Sequence, residues 1–266
     1  MKLTRRVRGL TERLKLLVNE FGYSLATRHI LTRLLGTTRF LRPSSLLDFR
    51  HSRVVITKDS QSFLEKLLPE IDSEQIQKAL EEGQACLTED SDLTELSFPK
   101  NWNSGMNLKL IVFSLTRLLR PSFVMETGTA NGASANAWAA ALRMNNHGSL
   151  TSVDVTSSKA PLLKPENRSF VDLEISDGTT KSLGMILNSK SYLVKDKPAI
   201  FLHDSDHSYF GQYGEYLVAD ESDFEILLSD DVDSSLAFLD FTASRSVGVV
   251  MIDGQKMIGG VRLRRG

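Results

Sequence analysis

Apolar residues recur along the first part of the chain in alternating steps of four and three: Leu3, Val7, Leu10, Leu14, Leu17 and Phe21, with Arg and Lys between them. That seam predicts a helix packed on its own domain or on a second subunit. A basic helix lying on a membrane surface is the alternative. Glu12, Glu20 and the regular seam argue against a cleaved mitochondrial presequence. Residues 51–100 mix a strand-like run, "RVVIT", with two short helical stretches at 62–68 and 73–82, separated at Pro69. They end in the acidic "LTEDSDLTELSFPKN", which reads as a linker. "GMNLKLIVFSLTRLLRP" then predicts an amphipathic helix that stops at Pro121.

Beyond that proline the pattern alternates. Short apolar runs at 123–125, 149–153, 170–175, 199–203 and 224–228 predict strands, most of them separated by helix-like or loop segments. Such alternation predicts a mainly parallel sheet covered by helices. The end departs from it: "SVGVVMIDGQKMIGGVRLRR" is two strand-like runs joined at Asp253-Gly254, which signals an antiparallel hairpin.

The first strand runs into "VMETGTANGAS", residues 124–134, and then into the alanine-rich "SANAWAAAL", where Trp138 and Leu142 lie one turn apart on a predicted helix. Strand, glycine turn and helix open a βαβ unit. The N-terminus of such a helix offers unpaired N–H groups to an anionic or polar ligand, and Gly128 and Gly132 would let it approach the backbone.

Composition adds three constraints. No run of the 266 residues approaches the roughly 18 uncharged apolar residues of a membrane span. The single cysteine, Cys86, excludes an internal disulfide and fits a reducing, cytoplasmic setting. The net charge of -1 hides a polarised chain: residues 1–50 carry eleven Lys/Arg against three Asp/Glu, whereas residues 201–240 carry eleven Asp/Glu and no Lys or Arg.

From about residue 101 onward the chain resembles the class I S-adenosylmethionine-dependent methyltransferases, whose Rossmann-like sheet ends in an antiparallel last strand. "ETGTANGAS" resembles their first motif, with Ala130 where many members carry a second glycine. "IFLHDSDHSY", 200–209, resembles the "DGDHSY" segment of a group that includes sugar and natural-product O-methylating enzymes, with Ser205 in place of Gly. In metal-dependent O-methyltransferases of the catechol and macrolide-sugar types, one acid ends the fourth strand and an acid pair or Asp-Asn ends the fifth. Asp204, and Asp230 with Asp231 in "ILLSDDV", fall in those places.

The resemblance implies an α/β Rossmann-like domain over 101–266, with a mostly helical extension over 1–100 for oligomerisation or as a substrate lid. It implies a methyl donor, S-adenosyl-L-methionine, held by Glu126, Gly128, Thr129, Gly132 and Ser134. Asp154, 26 residues after Gly128, would accept the ribose hydroxyls, unless it is a surface carboxylate at a strand end. Asp177 would lie near adenine, or else cap the helix beginning near Thr179.

Asp204, Asp230 and Asp231 would share Mg²⁺ or Mn²⁺, because carboxylates on neighbouring strand ends can reach one cation and no Lys or Arg nearby in sequence offsets them. His207 would deprotonate an acceptor hydroxyl, an imidazole with pKa near 6.5 suiting that task, or else be a hydrogen-bonded histidine at a strand end. The expected activity is O-methylation of a small hydroxylated acceptor, in a cytoplasmic homo-oligomer with no nucleic-acid partner. Peripheral membrane contact through residues 1–22 stays open. The rivals are a metal-independent methyltransferase, a dehydrogenase on the same fold, and a non-catalytic nucleotide-binding or scaffold protein with a basic docking helix.

Overall fold

The structure, a computed structural model, describes residues 42–87, 96–157, 159–195, 198–243, 245 and 247–263. The apolar seam at 3–21 and residues 88–95 of the acidic stretch lie outside them.

Among the described residues, eight strands form one sheet: β1 (Val55–Thr57), β2 (Phe123–Thr127), β3 (Ser149–Asp154), β4 (Val171–Ile175), β5 (Ala199–His203), β6 (Ile226–Ser229), β7 (Val249–Asp253) and β8 (Lys256–Arg262). Their spatial order is β1-β7-β8-β6-β5-β2-β3-β4. The run β4-β3-β2-β5-β6 is parallel and follows the doubly wound order of a Rossmann sheet. The hairpin expected at Asp253-Gly254 is present, and it inserts β8 antiparallel between β6 and β7. The fold is therefore the Rossmann-like methyltransferase arrangement, a mostly parallel sheet closed by an antiparallel strand.

Helices cover both faces, as a parallel sheet requires. On one face α2 (Ser60–Leu67), α3 (Ser73–Cys86), α4 (Met106–Leu119) and α5 (Ala133–Asn145) pack over Val124, Leu150, Ile200, Leu202, Ile226 and Leu228. On the other, α6 (Thr180–Ser189), α7 (Ser191–Lys195), α8 (Tyr209–Glu221) and α9 (Ala237–Ala243) cover Phe123, Met125, Phe201, Leu227 and Val250. Alternate residues of each strand thus serve opposite cores. α4 ends where the sequence places its stop: Arg120 turns left-handed with φ 50, directly before Pro121. A short helix, α1 (Leu46–Arg50), precedes β1 and begins at a capping box made by Ser45 and Asp48.

The "RVVIT" run joins the same sheet, with Val55 beside Val249 in parallel register. Its pairing partner lies almost two hundred residues away, so local pattern shows the strand but not its place.

The geometry of the sheet brings one further residue to the functional end. Seven strands run one way and finish at a common edge with Thr57, Thr127, Asp154, Ile175, His203, Ser229 and Asp253; β8 runs the other way and begins there, with Lys256.

Candidate active site

In open α/β sheets ligands bind beyond the carboxyl ends of the strands. All the expected site residues lie beyond or at this edge, and they divide into two groups.

The first group surrounds the turn after β2. Gly128 and Gly132 are left-handed, with φ 91 and φ 84, as the spacing of the glycines predicts. The close approach they permit is, however, to the protein's own chain. A Cβ on Gly128 would lie 1.9 Å from the Asp204 carbonyl oxygen, and one on Gly132 would lie 2.8 Å from Ala160. Ala130, in the place of a glycine, is itself left-handed at φ 43. Its N–H donates to Asp154 Oδ2 at 2.9 Å, and Asp154 Oδ1 accepts from Thr156. Asp154 is therefore tied to the glycine turn while staying half-buried.

Glu126, Thr129 and Ser134 lie inside the protein. Thr129 Oγ1 meets Ser152 Oγ at 2.7 Å, and Ser152 donates to Glu126 Oε1 at 2.7 Å. Glu126 Oε2 is buried and makes no hydrogen bond, with Ser134 and Trp138 beside it. Burial pushes the Glu126 carboxyl up to about 7, against the pull of the Ser152 bond. These three residues support the turn from beneath. Above it, no side chain caps the first turn of α5.

Asp177 is exposed. Its Oδ1 accepts from the Thr179 N–H and hydroxyl, which holds its carboxyl below the usual range. The cap of α6 is Thr179 itself, whose hydroxyl accepts from Ser182 N–H. Asp177 thus shapes the turn before the cap, and Val155, more than a third exposed, lies against the neighbouring Gly178.

The second group gathers beyond β5 and β6. Asp204 Oδ2 accepts from Ser104 Oγ at 3.0 Å. His207 Nε2 lies 3.8 Å from Asp204 Oδ1 and 3.7 Å from Asp231 Oδ2. Burial and the neighbouring His203 hold the His207 imidazole down to about 4, instead of the ordinary 6.5. It is a neutral ring at neutral pH, and a weaker base than an ordinary histidine. Asp231 adopts φ 47, which an aspartate tolerates better than most residues.

The premise that no cation offsets these acids is corrected by Lys256. Its Nζ lies 2.5 Å from Asp230 Oδ2 and 3.8 Å from Asp231 Oδ1, and its charge reaches Asp204 as well. Burial pushes Asp230 up to about 6 despite that partner, and burial with the Asp230 charge raises Asp204 well above the carboxylate range. Among the described residues no three His, Cys, Asp or Glu side chains converge as metal ligands. Asp230 and Asp231 instead flank an ammonium whose charge Asp204 also feels, and in this arrangement the three acids do not fit a divalent ion.

Several residues that sequence reading passes over complete the region. His203 is fully buried, and its Nδ1 meets Glu215 Oε2 at 2.7 Å; Glu215 also accepts from Thr127 and Ser205. Asn131 binds Phe98 through both its N–H and its carbonyl, and also reaches Asn103. The end of the expected linker is thereby pinned across the glycine turn, with Phe98 stacked on Trp102. The hydroxyls and amides that do this are common in loops, so only Lys256, a lone cation beside a hairpin turn, carried a usable signal. A separate concavity, lined by Ser149, Phe170, Asp172, Lys190 and Tyr192, lies at the opposite ends of β3 and β4, away from all these groups.

No family model matches the sequence, and no curated protein matches it either. Among solved structures, it is similar to an O-methyltransferase from Bacillus cereus in complex with SAH: 13% identity, 76% of this chain, 96% of that one, TM-score 0.45. It is also similar to the O-methyltransferase TomG from Streptomyces achromogenes in complex with SAM: 17% identity, 75% and 92% coverage, TM-score 0.44. A third is the SAH-bound methyltransferase PaMTH1 from Podospora anserina: 14% identity, 73% and 89% coverage, TM-score 0.46. At these values the likeness decides nothing about function, which must come from the site itself.

Proposed function

We propose that the protein transfers a methyl group from S-adenosylmethionine to a hydroxyl oxygen of a small acceptor. The observation that carries this reading is the placement of two complementary groups on one sheet edge. A glycine turn with an uncapped helix start and a strand-end acid, Asp154, shares that edge with Asp204 and a neutral His207, whose Nε2 lies 3.8 Å from the Asp204 carboxylate.

The donor's parts have matching partners in this chain. The first turn of α5 presents N–H groups to the methionyl carboxylate. Asp154 keeps lone pairs for the ribose hydroxyls, since a carboxylate accepts at about four sites and three short-range donors use part of them. Asp177 and Val155 offer a polar edge and an apolar ledge for adenine. Glu126, Thr129 and Ser134 position the turn without touching the donor. The bound sulfonium supplies an electrophilic methyl group.

In the transfer, the acceptor oxygen forms a bond to the methyl carbon while the carbon–sulfur bond breaks, and its electron pair stays on sulfur as a thioether. The acceptor's proton passes to His207 Nε2 or to the Asp204 carboxylate beside it. With His207 a weak base, most of the acceleration comes from alignment and from charge around the oxygen. Mg²⁺ or Mn²⁺ on Asp204, Asp230 and Asp231 is no part of this proposal, because Lys256 lies among those carboxylates.

Calorimetry with S-adenosylmethionine, its demethylated product and NAD tests the reading. The first two should bind, and Asp154→Ala should weaken them by about 1–3 kcal/mol, or roughly 5- to 150-fold, with the fold retained. Binding of NAD alone would favour a dehydrogenase, and binding of none would favour a scaffold.

A further inference from the structure

We propose that Lys256 is a built-in cation that takes the place of a divalent metal in the acceptor pocket, holding the acceptor at a single oxygen. Its acceptor role rests on the methyl-transfer reading above; its exclusion of metal does not.

Three observations lead here. Lys256 opens the one antiparallel strand, so the topology delivers its side chain to the edge where the carboxylates of β5 and β6 end. Its ammonium lies in hydrogen-bonding contact with Asp230 and within 3.8 Å of Asp231, the position a shared metal would need. A Mg²⁺ ion requires carboxylate oxygens at about 2.0–2.1 Å, and cannot share that space with an ammonium. The surroundings also hold Lys256 in place: Val232 N–H donates to the Met257 carbonyl, and Asp233 accepts from Met257 N–H, fixing the backbone one residue beyond Lys256 against the Asp230-Asp231 turn.

The exchange changes the chemistry. A metal can chelate two vicinal oxygens at once. An ammonium has three N–H donors, of which Asp230 takes one, and the Lys256 side chain is 31% exposed and so remains accessible. It can stabilise one developing oxyanion by a charged hydrogen bond, without requiring a neighbouring hydroxyl. Acceptors with an isolated hydroxyl then become substrates as good as vicinal diols.

The experiment compares the full-length wild type with Lys256→Ala, Lys256→Gln and Lys256→Arg, using MnCl₂ as the probe in calorimetry and thermal melting. The wild type and Lys256→Arg are expected to show neither heat nor a melting shift. Lys256→Ala and Lys256→Gln release the three carboxylates, and should bind Mn²⁺ at least about tenfold more tightly than wild type because like charges then repel unless a cation joins them. Their melting temperatures should rise with Mn²⁺, as for any ligand bound only by the folded state. Adding Asp230→Asn to Lys256→Gln should abolish both effects. If Lys256→Ala unfolds in EDTA, Mn²⁺ should restore its fold.

Tight Mn²⁺ binding by the wild type, or none by either neutral variant, overturns the proposal. S-adenosylmethionine calorimetry on the same samples separates the two readings. Donor binding with a metal-binding wild type sinks the Lys256 inference alone, whereas the expected Mn²⁺ pattern without donor binding sinks methyl transfer and with it the acceptor role of Lys256, leaving only its exclusion of metal.

Discussion

At the ends of β2, β3 and β4 each candidate group is tied to residues within one turn or on an adjoining strand: Ala130 to Asp154, Thr129 through Ser152 to Glu126, Asp177 to Thr179. At the ends of β5 and β6 and the start of β8 the groups come from separate elements, Asp204 meeting Ser104 from a hundred residues earlier and Asp230 meeting Lys256 on the adjoining β8. The first half is neutralised by hydrogen bonds and the second by an opposed charge. A turn built from local hydrogen bonds can be preformed for a common donor, while a charge cluster assembled from separate elements can be re-tuned by changing one residue on one strand.

The two halves touch at Gly128, so the largest effect should come from filling that contact. In Gly128→Ala the new Cβ meets the backbone oxygen of Asp204 at 1.9 Å, and the residue must also hold φ 91. Backbone cannot yield as a flexible side chain does, so the expected loss is on the order of 3–5 kcal/mol in chemical denaturation. A loss below about 1 kcal/mol would mean that the turn moves freely against β5, and that the halves are not mechanically joined.

Glu126→Gln separates the halves by pH. The native carboxyl is raised to about 7 from the ordinary 4.5, so the folded state binds more protons than the unfolded chain between those values. The Glu126 contribution to wild-type stability should therefore fall as pH rises from about 4.5 to 7 and level off above. The nearby Asp154 charge adds to the burial of the carboxyl in raising it. The neutral amide removes this dependence, so the variant should gain up to about 3 kcal/mol over wild type at pH 8 and nothing near pH 4. Melting curves across that range check it; a constant difference between the two proteins would remove Glu126 as the titrating group.

The contrast explains what was legible in the sequence. The strands from Phe123 to Ile226 announce themselves as apolar runs, and the hairpin as Asp253-Gly254, because both signals are local. The same holds for the glycine turn and for Asp154 and Asp204, which follow their strands directly. The neutralising role of Lys256 is not legible locally, because an antiparallel last strand brings its first residue, 26 positions from Asp230, to the edge where the other strands end. The burial of Glu126 and the partial burial of His207 beside His203, and hence their shifted carboxyl and imidazole, depend on packing from several elements at once. Asn131 carries no local signal for its role, since its side chain makes all three of its bonds to Phe98 and Asn103, about thirty residues away.

Those three bonds give the next test in size. Asn131 is 1% exposed, so Asn131→Ala should leave the Phe98 backbone groups buried without partners and cost about 2 kcal/mol. Faster amide exchange at Phe98, with Asp204 and Lys256 contacts unchanged, would place the strap with the locally wired half. Exchange unchanged at Phe98 would show instead that the Phe98–Trp102 stack alone holds it.

The smallest effect, and the sharpest on the turn itself, is expected for Ala130→Gly. Ala130 adopts φ 43, where a side chain costs roughly 1–2 kcal/mol relative to glycine. Glycine, however, gains more freedom in the unfolded chain and so forfeits roughly 0.5–1 kcal/mol of that advantage. The N–H that donates to Asp154 Oδ2 is a backbone group and survives the change. The net expectation is a gain of about 0.5 kcal/mol in stability with S-adenosylmethionine affinity unaltered. A weaker donor affinity in the more stable variant would mean that the strained alanine holds Asp154 in the orientation the ribose needs, and that the turn is preorganised by strain as well as by hydrogen bonds.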